Sequence, residues 1–183
     1  LPMVLFSSIA GELADKYDKA KLVVLTKLAE IFIMLGVGYG FYTQNIELLM
    51  SLLFISGTHS TFYVPIKFSI LPQHLKAGEL LAGNGFMASG SYLAILAGMI
   101  AGGLIIEYPY EVIGIVAASI AVAGFAASLF IPPAPSSHPQ TCISFNIWRG
   151  TLRIINPTRR DKTLVRTILC LSWFISVGSI YIS

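Results

Sequence analysis

Four ionisable residues, Lys27, Glu30, His59 and Lys67, lie inside long apolar runs. In hydrocarbon such groups are costly, so each is a candidate for function. Lys67, two residues after Pro65, could meet a phosphate as a point charge, or its stem could carry the ammonium to an interface. Glu30 is three residues from Lys27 on one helical face, where the two charges can neutralise each other. His59, flanked by Thr58 and Ser60, could relay a proton or donate a hydrogen bond between helices. The two cysteines, Cys142 and Cys170, are 28 positions apart without CxxC spacing, which points to neither a zinc site nor a redox pair. His74 and Glu79 have H-x4-E spacing, whereas GxSxG and GxxxxGK are absent from the sequence. No catalytic residue, metal ligand or cofactor is assigned.

The elements that carry these residues follow from composition. Of 183 residues, 55% are hydrophobic and 11% charged, and the mean hydropathy is +0.77. Such a chain has lipid for most of its solvent and no charge content suited to nucleic acid. A membrane-crossing helix needs about 20 mainly apolar residues, and four stretches qualify: 22–42, 48–70, 83–106 and 112–131. Helix is expected because lipid leaves no partner for unpaired backbone groups and the runs lack a period of two. Residues 1–10 and 167–183 read as parts of two further spans, so the chain is expected to be a piece of a longer protein. The fold class is an all-α polytopic bundle. Residues 1–131 form an N-terminal transmembrane bundle, 132–163 a proline-, serine- and arginine-rich loop, and 164–183 the start of a second bundle.

Charge placement gives an orientation. The 12 basic residues fall on alternate connections: Lys16, Lys19, Lys21 and nearby Lys27 on the first, Lys67 and Lys76 at the third, and Arg149 through Arg166 on the fifth. The second and fourth carry Glu47, Glu107 and Glu111 and no cation. By the positive-inside rule the basic connections face the cytoplasm. Gly36, Gly38 and Gly40, and the pair Gly98 and Gly102 in a GxxxG, are expected at close helix contacts.

The segment Gly11-Glu12-Leu13-Ala14-Asp15-Lys16-Tyr17-Asp18-Lys19-Ala20-Lys21 resembles the signature loop between the second and third helices of the major facilitator superfamily. Gly11, Leu13, Ala14, Asp15, Lys16 and Lys19 match, while Asp18 stands where glycine is commonest. The resemblance implies that Gly11, Asp15, Lys16 and Lys19 form a conformational latch, closed in one state and broken in the other. A second stretch, Tyr63-Val64-Pro65-Ile66-Lys67-Phe68-Ser69-Ile70-Leu71-Pro72-Gln73-His74-Leu75, with Leu93-Ala94-Ile95-Leu96-Ala97-Gly98 and Ser172-Trp173-Phe174, is similar to bacterial lysophospholipid transporters. It departs from them in having no acidic residue within Ala88-Ser89-Gly90-Ser91.

That second resemblance implies a multi-pass protein of the bacterial inner membrane moving lysophospholipid by alternating access for reacylation. Its partners would be membrane lipids and a fused or associated acyltransferase beyond this segment. A proton-coupled exporter of the same fold, using Glu30 or His59, is the alternative. A membrane enzyme acting through His74 and Glu79 is a third reading.

Overall fold

The computed structural model describes residues 2–136 and 162–182, and every regular element in them is a helix. They are α1 (Pro2–Lys16), α2 (Lys19–Tyr42), α3 (Ile46–Ser69), α4 (Leu71–His74), α5 (Leu80–Ile105), α6 (Tyr110–Ser128) and α7 (Lys162–Ile182). Four spans are long and apolar enough to cross a membrane: α2, α3 continued by α4, α5 and α6. These are the four expected runs, with ends shifted by a few residues. Residues 144–183 form a separate unit from 1–143, and within it α7 is one helix with Cys170 exposed. Arg149, Arg153, Arg159, Arg160, Cys142 and most of the expected loop 132–163 lie outside the described residues.

Local chemistry sets the helix ends. The Asp18 carboxylate accepts hydrogen bonds from the backbone N–H groups of Ala20 and Lys21, at 2.9 and 3.3 Å, and so caps α2. Ahead of it α1 runs on through Lys16, so most of the signature segment is the last turns of a helix rather than a loop. The cause is simple: a single glycine, Gly11, only weakens a helix, whereas a capping aspartate starts a new one. At the other end of α2, Gln44 takes a positive φ of 51° and its amide donates to the Tyr110 hydroxyl at 2.9 Å. Asn45 then caps α3, accepting from Leu48 N–H at 3.0 Å. Pro65 sits inside α3, and the helix continues past it to Ser69.

Packing joins α2 to α6, α1 to α3, and α2 to α3. Glycine sets the α2–α6 distance: a Cβ on Gly38 would meet Gly114 Cα at 3.2 Å, a contact only two bare backbones allow. Gly36 and Gly40 face Leu52 and Leu49 of α3. The expectation for Gly98 and Gly102 is not met among the described residues, where nothing lies within 4 Å of a Cβ on either. The reason is that α5 has no buried residue and touches chiefly α4. Large apolar side chains such as Phe32, Leu53 and Phe86 are exposed, as suits a surface whose solvent is hydrocarbon.

The buried core gathers at the end of the bundle that carries the α1–α2 turn. There Ala14, Leu22, Val23 and Ile66 pack together, with Leu13, Tyr63, Ile70 and Ile131 around them. A strap follows α6 across this end. Lys19 N–H donates to the Ala134 carbonyl at 2.8 Å, the Gln73 amide donates to the Pro135 carbonyl at 3.0 Å, and Ala134 is fully buried. The run Pro132-Pro133-Ala134-Pro135 suits this role, because proline stiffens the chain and leaves carbonyls free to accept.

Candidate functional site

The candidate residues fall in three places. At the strap end, Gly11 lies in α1 with nothing within 4 Å of a Cβ built on it. Asp15 is exposed, and Lys16 is half-buried with its Nζ 5.8 Å from the Tyr17 ring centre. Lys19 is 1% exposed, its first-turn N–H held by Ala134. The turn is therefore built by Asp18 and clasped from outside by the strap.

The second place is the α2–α3 seam. Lys27 Nζ pairs with Glu30 Oε2 at 2.7 Å, both side chains about a quarter exposed. The same ammonium lies 4.8 Å from the centre of the Tyr63 ring, a cation–π geometry. It also passes Gly124 of α6, where a Cβ would stand 3.6 Å from Nζ. Tyr63 in turn stacks on His59, ring centres 6.5 Å apart and planes within 6°. His59 Nε2 donates to the Thr26 carbonyl across the seam at 2.8 Å. Glu30 and His59, separated by 29 residues, thus share one chain of contacts through Lys27 and Tyr63. Among polar side chains this far into a span, each interaction removes a desolvation cost that lipid would otherwise impose.

The third place is the α3–α5 gap. Lys67 donates to the Ser91 hydroxyl, which donates onward to the Met87 carbonyl at 2.6 Å, and Lys67 Nζ also lies 5.4 Å from the Phe68 ring centre. Among the described residues Lys67 pairs with no carboxylate. An ammonium with a neutral partner at a helix surface keeps its attraction for an anion.

Among the described residues no ion pair joins His74 to Glu79. Both are exposed, and the Glu79 carboxylate accepts from Lys76 N–H at 3.0 Å as part of the α4–α5 turn. Among the described residues no group of three or more metal-ligating side chains comes together.

Sequence reasoning missed Ser91, Tyr63, Asp18 and Ala134. Asp18 had a readable signal, an aspartate directly before a long apolar helix. Ser91 and Tyr63 had none, since their partners lie 24 and 36 residues away in the chain.

Apolar helices that cross back and forth, joined by short polar turns, define a multi-pass α-helical membrane protein. The sequence profile described as Major Facilitator Superfamily matches residues 1–183, and the chain belongs to that family. It is 28% identical to the lysophospholipid transporter LplT of Citrobacter koseri over 165 residues, which cover 80% of this chain and 38% of the relative. It is 27% identical to the protein of the same name in Serratia proteamaculans (74% of this chain, 33% of that one), and 28% identical to the one in Salmonella typhimurium (74% and 32%). The chain thus spans 32–38% of these relatives' length. No solved structure matches it.

Proposed function

We propose that this chain is part of a transporter that moves lysophospholipids across the bacterial inner membrane, by alternating access, for reacylation. The carrying observation is Lys67, a cation near one end of a membrane span with a hydroxyl rather than a carboxylate beside it. A lysophospholipid brings the phosphate such a group attracts, and the relatives named above are lysophospholipid transporters. The basic connections face the cytoplasm in this reading. Asp15 and Lys16, on the last turn of α1, work with Lys19 as the latch that distinguishes the two access states. An acyltransferase, fused or associated, takes the delivered lipid, and the chain itself acts as a transporter rather than an enzyme.

The test is translocation of labelled lysophosphatidylethanolamine by proteoliposomes containing the full-length protein. Equal rates with and without protein would end the proposal. Retained acyl transfer after His74→Ala would remove the enzyme reading. Sidedness is checked with an impermeant thiol reagent on cysteines placed at Asn45 and Arg159, which must label from opposite compartments.

A second reading, a proton-coupled exporter, draws on the Lys27–Glu30 pair and its link to His59. Efflux abolished by Glu30→Gln with lysolipid movement intact would favour it.

A further inference from the structure

A groove of about 490 Å³ runs between α1, α2 and α3, walled by Phe6 and Leu13 of α1, Leu25 and Ala29 of α2, and Phe54 and Phe62 of α3. Three polar side chains also border it, but they are turned away. The Thr26 hydroxyl donates to the Val23 carbonyl at 2.9 Å, the Thr58 hydroxyl to Phe54 at 3.0 Å, and His59 Nε2 to Thr26 at 2.8 Å. What the groove offers a ligand is carbon. Its rim residues Leu25, Phe54 and Ile55 are 61%, 52% and 47% exposed, so it opens sideways, where the acyl chains of a bilayer lie.

Its length and ends narrow the occupant. Along α3 the lining runs from Phe54 to Ile66, twelve residues or about 18 Å at the helical rise. One leaflet of hydrocarbon is about 15 Å deep, half of the bilayer core. The groove therefore reaches through one leaflet. Its outer end is marked by Leu13 and Leu22, on either side of the α1–α2 turn, which also bears half-buried Lys16 and exposed Lys21. The turn also bears Asp15 and Asp18, the latter engaged by the first N–H groups of α2, so Lys16 and Lys21 are the groups there that a lipid phosphate above a single chain would meet.

We infer that this groove holds the one acyl chain of a lysophospholipid in the leaflet next to the α1–α2 turn, with its phosphate toward Lys16 and Lys21. The inference rests on the lysophospholipid reading above and extends it to a second place on the molecule, away from Lys67. Because lipid tails are as apolar as the groove walls, the slot selects by shape, not by hydrophobicity.

The experiment compares wild-type full-length protein with Ala29→Phe in proteoliposomes, using lysophosphatidylethanolamine carrying either an oleoyl or a hexanoyl chain. Ala29 is seven residues, about 10 Å, from Leu22 at the mouth, deeper than a hexanoyl chain reaches. The oleoyl lipid should slow on the order of tenfold, because a blocked chain displaces the headgroup from its place, while the hexanoyl lipid moves at the wild-type rate. An equal loss for both lipids, or no loss, overturns the groove while leaving the transport reading intact. A wild type that moves neither lipid overturns both. The occupant is checked with Phe62→Trp, whose fluorescence should be quenched by a lysolipid brominated in mid-chain more than by a brominated two-chain lipid at equal mole fraction. Equal quenching would make the groove ordinary lipid-facing surface, and the inference fails.

Discussion

Gly38 of α2 and Gly114 of α6 meet backbone to backbone, so that a Cβ on Gly114 would lie 3.0 Å from Gly38 Cα. Gly36, two residues away, meets instead the side-chain tip of Leu52, at 3.1 Å. A side-chain tip can rotate aside, whereas a helix backbone must shift as a whole. We therefore expect Gly114→Ala to lower stability by about 1–3 kcal/mol, the usual range for overpacking, and Gly36→Ala by clearly less. Thermal unfolding of the full-length protein in detergent reads the difference, and equal losses would contradict the packing described.

Asp18 caps α2 at the position where the family pattern favours glycine. Asp18→Ala should cost about 1 kcal/mol, Asp18→Gly only a few tenths, and Asp18→Asn little, because asparagine also accepts from the first turn. The same unfolding assay checks the order. An alanine variant as stable as wild type would mean that the strap alone holds the turn.

The Lys27–Glu30 pair predicts non-additive behaviour. Removing one partner, by Lys27→Met or Glu30→Gln, leaves the other charge in the span and should cost roughly 2 kcal/mol, below the 3–5 of fully buried pairs. The double variant should regain most of that loss, which a double-mutant cycle measures. Strict additivity would show that the two charges act separately.

Lys67→Ala should slow lysolipid translocation while expression stays normal, since the side chain gives up a hydroxyl contact and little packing. Lys67→Arg should keep more of the rate than Lys67→Ala, because the charge is retained. Unchanged transport in the alanine variant would reduce Lys67 to an interfacial anchor.

Ala134 is fully buried where the strap crosses Lys19. Ala134→Leu should lift the strap and speed hydrogen exchange at the Lys19 amide, while the amides in mid-α2 stay as protected as before. If Lys19 stays equally protected, its N–H does not depend on the Ala134 carbonyl.

The spans were legible because hydropathy over twenty residues is a local signal: 22–42 became Lys19–Tyr42 and 112–131 became Tyr110–Ser128. Their ends were read less well. The extra turn at the start of α2 comes from Asp18, and the early stop of α6 comes before Leu129 turns toward the strap. The pairing of Lys27 with Glu30 was readable from a spacing of three on one helix. The contacts of Lys27 with Tyr63 and of Lys67 with Ser91 were not, because they depend on which faces α3 turns to α2 and α5. For the same reason a GxxxG at Gly98 could not announce whether any helix stood opposite it.

Pro65 lies directly before buried Ile66 and two residues before Lys67. It has no N–H for the carbonyl of Thr61, whose hydroxyl is already engaged with Gly57 at 2.9 Å, and a helix tilts most cheaply where such a rung is missing. The last turn of α3 beyond that point bears both Ile66 and Lys67 and leads into α4. One proline thus places a missing rung inside α3, with Phe54, Thr58 and Phe62 before it and core residue Ile66 and Lys67 just after it.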